Sequence, residues 1–222
     1  MLVSKKILVV CISALMASGC GTMTARDIDT LPASAALPEK SVPGQVAIWF
    51  YDNVTVSSVD ELENLARYPE NPDEISSLSR LEISGDRADR YGSLVRGYIT
   101  PLTDGQYRFF INSDGDSKFL LSKSNIPSDT RTIASVPGYT KFGDFDKYTS
   151  QTSAEITLSA DQEYYFEIRH REGGGTDHFS VAWEGPGFGR SVIDGQYLSS
   201  FAKGSQTYPD DEKTVAGYAL GY

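Results

Sequence analysis

Histidine, cysteine and tryptophan are scarce in this 222-residue chain, with two of each. Two cysteines, at positions 11 and 20, cannot build a disulfide scaffold, and no Cys/His spacing marks a metal site. Basic residues are also few. Lys and Arg total 20 against 30 Asp and Glu, a net charge of −10, which repels phosphates and excludes a general nucleic-acid binder. No Gly-x-Ser-x-Gly, His-Glu-x-x-His or phosphate-binding glycine loop is present. Strand and helix patterns do not alternate, which excludes a Rossmann-type fold. The acidic residues are too many to single out a glycosidase pair. What is present is ordinary globular material, 40% hydrophobic and 23% charged, with tyrosine over-represented at 13 copies.

The start of the chain concerns address. Lys5 and Lys6 precede an apolar run over residues 7–17, broken only by Ser13. It is short for a membrane span and suits a secretory leader. It ends in Ala17-Ser18-Gly19-Cys20, which resembles the lipobox of bacterial lipoproteins. An ordinary secretory leader with a chance cysteine is the other reading. The resemblance implies a leader over residues 1–19, removal of Cys11 with it, and a diacylglycerol on Cys20. Loss of Lys5 and Lys6 would take the net charge from −10 to −12. More than one acyl chain, each buried CH₂ contributing about 0.8 kcal/mol, makes such anchoring stable. Gly21, not Asp, follows the cysteine, which implies sorting to the outer membrane of the cell envelope.

Residues 20–43 hold Pro32, Pro38 and Pro43 without periodicity and read as a lipidated N-terminus and tether. A flexible chain of that length spans about 25–30 Å. From Gln45 the pattern becomes β. Residues 45–51 read as a strand, and Ser58-Val59-Asp60-Glu61 as a capping box for a short helix ending near Ala66. Residues 68–74 carry two prolines and read as irregular. Residues 94–100 and 106–113 read as a hairpin turning at Asp104-Gly105. A tight acidic turn leads to 119–121. Residues 154–158 and 164–170 read as a pair across 159–162, and Gly173–Gly175 turns the chain into 179–183. Many short strands with regular turns predict an all-β sandwich or barrel with a short helix and long loops. Residues 201–222 read as a tail, with 215–222 open as an added edge strand.

Several ordered segments together resemble the PA14 domain. They are Tyr68-Pro69-Glu70-Asn71-Pro72-Asp73-Glu74, Arg96-Gly97-Tyr98-Ile99, Gly105-Gln106-Tyr107-Arg108-Phe109, Ser113-Asp114, Ile133-Ala134-Ser135-Val136-Pro137-Gly138-Tyr139 and Asp146-Lys147-Tyr148. The longest is His170-Arg171-Glu172-Gly173-Gly174-Gly175-Thr176-Asp177-His178, continuing through Val181-Ala182-Trp183-Glu184-Gly185-Pro186-Gly187. The resemblance covers residues 44–200. It implies a β-sandwich or barrel, carbohydrate binding without catalysis, and, as in the adhesin members, calcium held by two consecutive aspartates that bridges to sugar hydroxyls. Here Asp114 matches the first aspartate, Gly115 stands at the second, and Asp116 follows.

The candidate metal ligands are therefore Asp114 and Asp116, for Ca²⁺. Asp114-Gly115-Asp116 also reads as a plain polar turn, and Asn125 at the twelfth position argues against an EF-hand. The candidate ligand-binding residues are Gly173, Gly174, Gly175, Asp177, His178 and Tyr139. The glycines also serve a simple chain reversal. His178 also reads as a core or supporting hydrogen-bonder, and His170 closes the preceding strand. Tyr139, Phe142, Phe145 and Tyr148 form either a glycan-stacking wall or a cover for one end of the core. Trp49 and Trp183 read as core. The combined expectation is a lipid-anchored, glycan-binding envelope protein. The rival is an assembly lipoprotein that docks a protein partner.

Overall fold

The apolar alternation seen in the sequence becomes two antiparallel sheets packed face to face. The computed structural model describes residues 41–85 and 87–202. The expected leader, Cys20, the tether up to residue 40 and the tail beyond Ala202 lie outside the described residues. The first sheet holds β1 (Val46–Tyr51), β2 (Glu74–Leu78), β4 (Gly92–Ile99), β6 (Asp116–Leu121), β7 (Arg131–Val136), β9 (Tyr164–Arg171) and β12 (Leu198–Ser200), in the order β2-β1-β4-β9-β6-β7. β12 extends the edge of β4 beside β1. The second sheet holds β3 (Glu82–Gly85), β5 (Gly105–Ser113), β8 (Ile156–Leu158), β10 (Asp177–Gly185) and β11 (Phe188–Val192), in the order β11-β10-β5-β8, with β3 also on β10. The expected all-β sandwich is the fold.

The core lies between the sheets. Alternate residues of β9 (Tyr164, Phe166, Ile168), β5 (Tyr107, Phe109, Ile111) and β10 (Phe179, Val181, Trp183) meet there. Trp183 is ringed by Tyr107, Phe109, Phe188 and Tyr197 at 4.8–6.1 Å between centroids. Trp49 is buried too, but on the outer face of the first sheet with Tyr51, Val54, Val56, Leu62 and Leu94. The Arg96 guanidinium lies 3.9 Å from its ring, a cation–π contact. Helix α1 (Val59–Glu63) closes this second core. It starts as read: the Ser58 hydroxyl accepts the Glu61 N–H. The Glu61 carboxylate reaches past the cap to the Ser57 N–H and hydroxyl. The helix ends at Glu63, short of Ala66, where Asn64 caps it. Gly92 makes room for Leu62, which a Cβ would meet at 2.4 Å.

Two expected hairpins are corrected. β4 pairs with β1, β9 and β12, and not with β5, so Asp104-Gly105 does not turn a hairpin. β8 pairs with β5, whereas β9 pairs with β4 and β6. In both places the chain crosses from one sheet to the other. Pro101 has no N–H to continue a ladder, and five residues reach about 17 Å, enough to cross a gap of about 10 Å. The two crossings brace each other, since Asp161 N–H donates to the Pro101 carbonyl and Ala160 N–H to Asp104. Glu74, read as irregular, opens β2. At its far end the folded body runs through Phe201 and Ala202, both buried, with Phe201 against Tyr98 and Tyr165.

Leu62→Ala empties the pocket between α1 and the first sheet. The expected loss is about 2–4 kcal/mol in urea unfolding, the scale of a buried leucine truncation. A loss below about 1 kcal/mol would show that α1 does not seal the outer core.

Candidate functional site

The end of the sandwich opposite the braced pair carries two more crossings: Ser113 to Asp116, between β5 and β6, and Arg171 to Asp177, between β9 and β10. Period-two alternation sets what they present. In β9 the inward series Phe166, Ile168 continues to His170 and then Glu172. His170 and Glu172 are thereby carried into the protein, at 0% and 1% exposure. Asp114 meets them from the other crossing, its backbone N–H bonded to the His178 carbonyl. His170 Nε2 lies 3.4 Å from Asp114 Oδ1 and 3.9 Å from Glu172 Oε2. His178 Nδ1 lies 3.7 Å from Asp114 Oδ2. Asp114, His170 and Glu172 can each place one ligand atom within 4.8 Å of the others.

This cluster is short of partners. Both Asp114 oxygens, both His170 nitrogens, Glu172 Oε2 and His178 Nε2 are buried without a hydrogen bond among the described residues. The walls give little help: Tyr91 and Phe179 present ring edges to His170 at 6.0 and 5.6 Å, and Phe142 lies edge-on to His178 at 5.5 Å. Burial and the Asp114 charge push the Glu172 carboxyl up to about 8. Burial also opposes the Asp114 charge, but His170 and Glu172 at its side bring its carboxyl below the usual range. Burial lowers the His178 imidazole, against the pull of Asp114.

The expected metal pair is rearranged. Asp114 is in the cluster. Asp116 opens β6, and its carboxylate accepts the Val59 N–H at 2.6 Å, at the start of α1. It anchors the helix. Gly115 has a physical reason: a Cβ there would stand 1.9 Å from the Arg171 carbonyl oxygen. On this backbone no side chain, and so no second aspartate, fits at that position.

The other expected residues divide by role. Gly174 and Gly175 have positive φ, at 158° and 117°. Their N–H groups donate to acidic side chains, Gly174 to the buried Glu172 and Gly175 to the exposed Asp89. Gly173 lies against Arg171, whose guanidinium a Cβ would meet at 2.8 Å. The Asp177 carboxylate accepts the Arg87 and Ala88 N–H groups at 2.8 and 3.1 Å, so it clamps a neighbouring loop. His178 belongs to the cluster. Tyr139 is 52% exposed and Phe142 57%. Their loop is tied to the same crossing, because Thr140 exchanges hydrogen bonds with Ser113 through backbone and hydroxyl. The aromatic group is thus split: Tyr139 and Phe142 face water, while Phe145 packs on Phe110 and Tyr148 against the core. His170 and Glu172, central here, were not among the expected ligands, although the alternation along β9 carried the signal.

The PA14 domain family model matches residues 41–196. Among curated proteins, mouse N-acetyl-beta-glucosaminyl-glycoprotein 4-beta-N-acetylgalactosaminyltransferase 1 is 30% identical over 174 residues. That match covers 75% of this chain but only 17% of the relative's length. Three solved structures share the fold. The PA14 domain of the MpAFP antifreeze protein has a TM-score of 0.56 at 16% identity, over 78% of this chain and 98% of that one. The PA14 sugar-binding domain from an RTX adhesin has a TM-score of 0.55 at 15% identity, over 72% and 100%. The epithelial adhesin 9 A domain from Candida glabrata, in complex with Galβ1-3GlcNAc, has a TM-score of 0.52 at 12% identity, over 75% and 94%.

Two substitutions check this geometry. Gly115→Ala should cost at least about 2 kcal/mol in urea unfolding, because the new methyl meets backbone that cannot swing aside. Asp177→Ala should speed hydrogen exchange at the Arg87 and Ala88 amides while leaving β5 and β9 protected. Unchanged exchange at those two amides would contradict the clamp.

Proposed function

The chain belongs to the PA14 domain family, and we propose that it works by binding carbohydrate at the Asp114 end of the sandwich, without catalysis. The observation that carries the reading is the pair of exposed rings, Tyr139 and Phe142, on a loop bonded directly to Ser113 beside the buried cluster. A sugar presents C–H faces to stack on such rings and hydroxyls to pair with polar groups behind them. The glycan-bound adhesin and the sugar-binding RTX domain, which share the fold, support the choice of ligand class. The mouse transferase's activity does not carry over, since the match spans a small part of it.

Calcium assistance is implied by the family resemblance, but the residues here suit it poorly. Ca²⁺ takes six to eight oxygens. Asp116 is bonded to Val59, position 115 has no room for a side chain, and the third donor beside Asp114 and Glu172 is an imidazole nitrogen. Sugar recognition here therefore rests on the exposed rings and the polar groups beside them rather than on calcium.

We also assign the domain to the cell envelope, held at the outer membrane by lipid on Cys20. Lys5-Lys6, the apolar run and the small residues before the cysteine support it. Cys20→Ala should move the protein from the membrane to the soluble fraction in cell fractionation. Retention in the membrane would remove the lipid anchor.

The glycan test is an array probed with the purified chain, alongside Phe142→Ala and Tyr139→Ala. Binding by the parent chain should fall about tenfold or more in the Phe142 variant. A folded parent chain that binds no glycan would overturn carbohydrate recognition and favour docking to an envelope protein.

A further inference from the structure

The donor set that suits calcium poorly is nonetheless buried and compact. Three observations bear on what it would bind. His170 is fully buried, with neither ring nitrogen hydrogen-bonded, and its Nε2 is directed at two carboxylates. Asp114 is nearly as deep, its side chain 5% exposed, with both oxygens unpartnered. Glu172 uses one oxygen on the Gly174 N–H and keeps the other free on the cluster side. A buried imidazole, a buried carboxylate and a buried carboxyl group with so few hydrogen-bond partners form a costly cluster that a bound ion would stabilise.

The spacing suits a small ion. Ligands about 2.0–2.1 Å from a tetrahedral centre stand about 3.3–3.4 Å apart. His170 Nε2 is 3.4 Å from Asp114 Oδ1, within this range, and 3.9 Å from Glu172 Oε2, and all three ligand atoms lie within 4.8 Å of one another. The donors are one nitrogen and two oxygens. Imidazole with carboxylate selects zinc and its first-row neighbours, whereas calcium and magnesium take oxygen. A glutamate that also bonds a backbone N–H, as Glu172 does to Gly174, is an oriented ligand.

We infer that Asp114, His170 and Glu172 form a binding site for a divalent transition ion of the zinc class, with a fourth position beside His178 left to water or to an oxygen of a bound ligand. The site holds its metal whether or not the domain binds sugar. Gly115 belongs to it sterically. A Cβ at position 115, already 1.9 Å from the Arg171 carbonyl oxygen, would also stand 3.3 Å from His170 Nε2, so a side chain there would crowd the imidazole as well as the backbone.

The test is calorimetric titration of the chelator-stripped full chain, in detergent, with Zn²⁺ and with Ca²⁺. One Zn²⁺ per chain should bind at least about 100-fold more tightly than Ca²⁺. His170→Gln and Glu172→Gln should each weaken zinc at least about tenfold, with circular dichroism confirming the fold. Because a buried histidine can be needed for folding, zinc-edge X-ray absorption on the unaltered, zinc-loaded chain provides a second readout. One imidazole among nitrogen and oxygen neighbours at about 2.0 Å is expected. Tighter binding of calcium than zinc, no zinc binding, or a zinc shell without imidazole would each overturn the site. Failure on a glycan array with intact zinc binding would remove carbohydrate recognition and leave the metal site standing.

Discussion

Two carboxylates and an imidazole are held within 4.8 Å of one another, out of water, where the chain crosses twice between its sheets. Ionisable groups so confined are costly to bury, and both crossings are shaped to bring them together. The Ser113–Asp116 crossing needs glycine at 115 to pass Arg171 closely enough to deliver Asp114. The Arg171–Asp177 crossing needs Gly174 and Gly175 to turn within reach of Glu172 and Asp89. Asp177 then holds the neighbouring 87–88 backbone. Asp116, one residue beyond the glycine, ties the same end to α1.

Most of the architecture follows from alternation, and alternation is legible. Tyr107, Phe109 and Ile111 could be placed on one face of a strand from their spacing, as could the cap at Ser58 and the burial of both tryptophans. Partner choice was less legible. Residues 94–100 and 106–113 look like a hairpin because a short loop with Asp-Gly joins two strands, yet they enter different sheets. Local sequence reports that the chain turns. It does not report whether the next strand pairs alongside or packs opposite, since both bury the same apolar face. Residues 159–162 mislead for the same reason.

The site was half legible. Asp114, the glycine turn and His178 lie where their motifs suggested. Asp116 went elsewhere because the chain changes sheets at 114–115: Asp114 lies in the crossing and meets the cluster, while Asp116 already opens β6 and meets the Val59 N–H at the start of α1. His170 and Glu172 were hidden in plain periodicity: a polar residue in phase with Phe166 and Ile168 is buried, and a buried polar residue requires a partner. In a β protein, following the apolar phase past the last hydrophobic residue is a usable way to find such groups.

The proposed metal site and the proposed glycan rim share the Asp114 end of the domain, one inside it and the other at its edge. Crystals of the chain grown with zinc, measured on both sides of the zinc absorption edge, test this most directly. An anomalous peak within bonding distance of His170 Nε2, Asp114 and Glu172 is the predicted result. A strong peak only elsewhere, with ordered waters bonded to those three side chains, would contradict it.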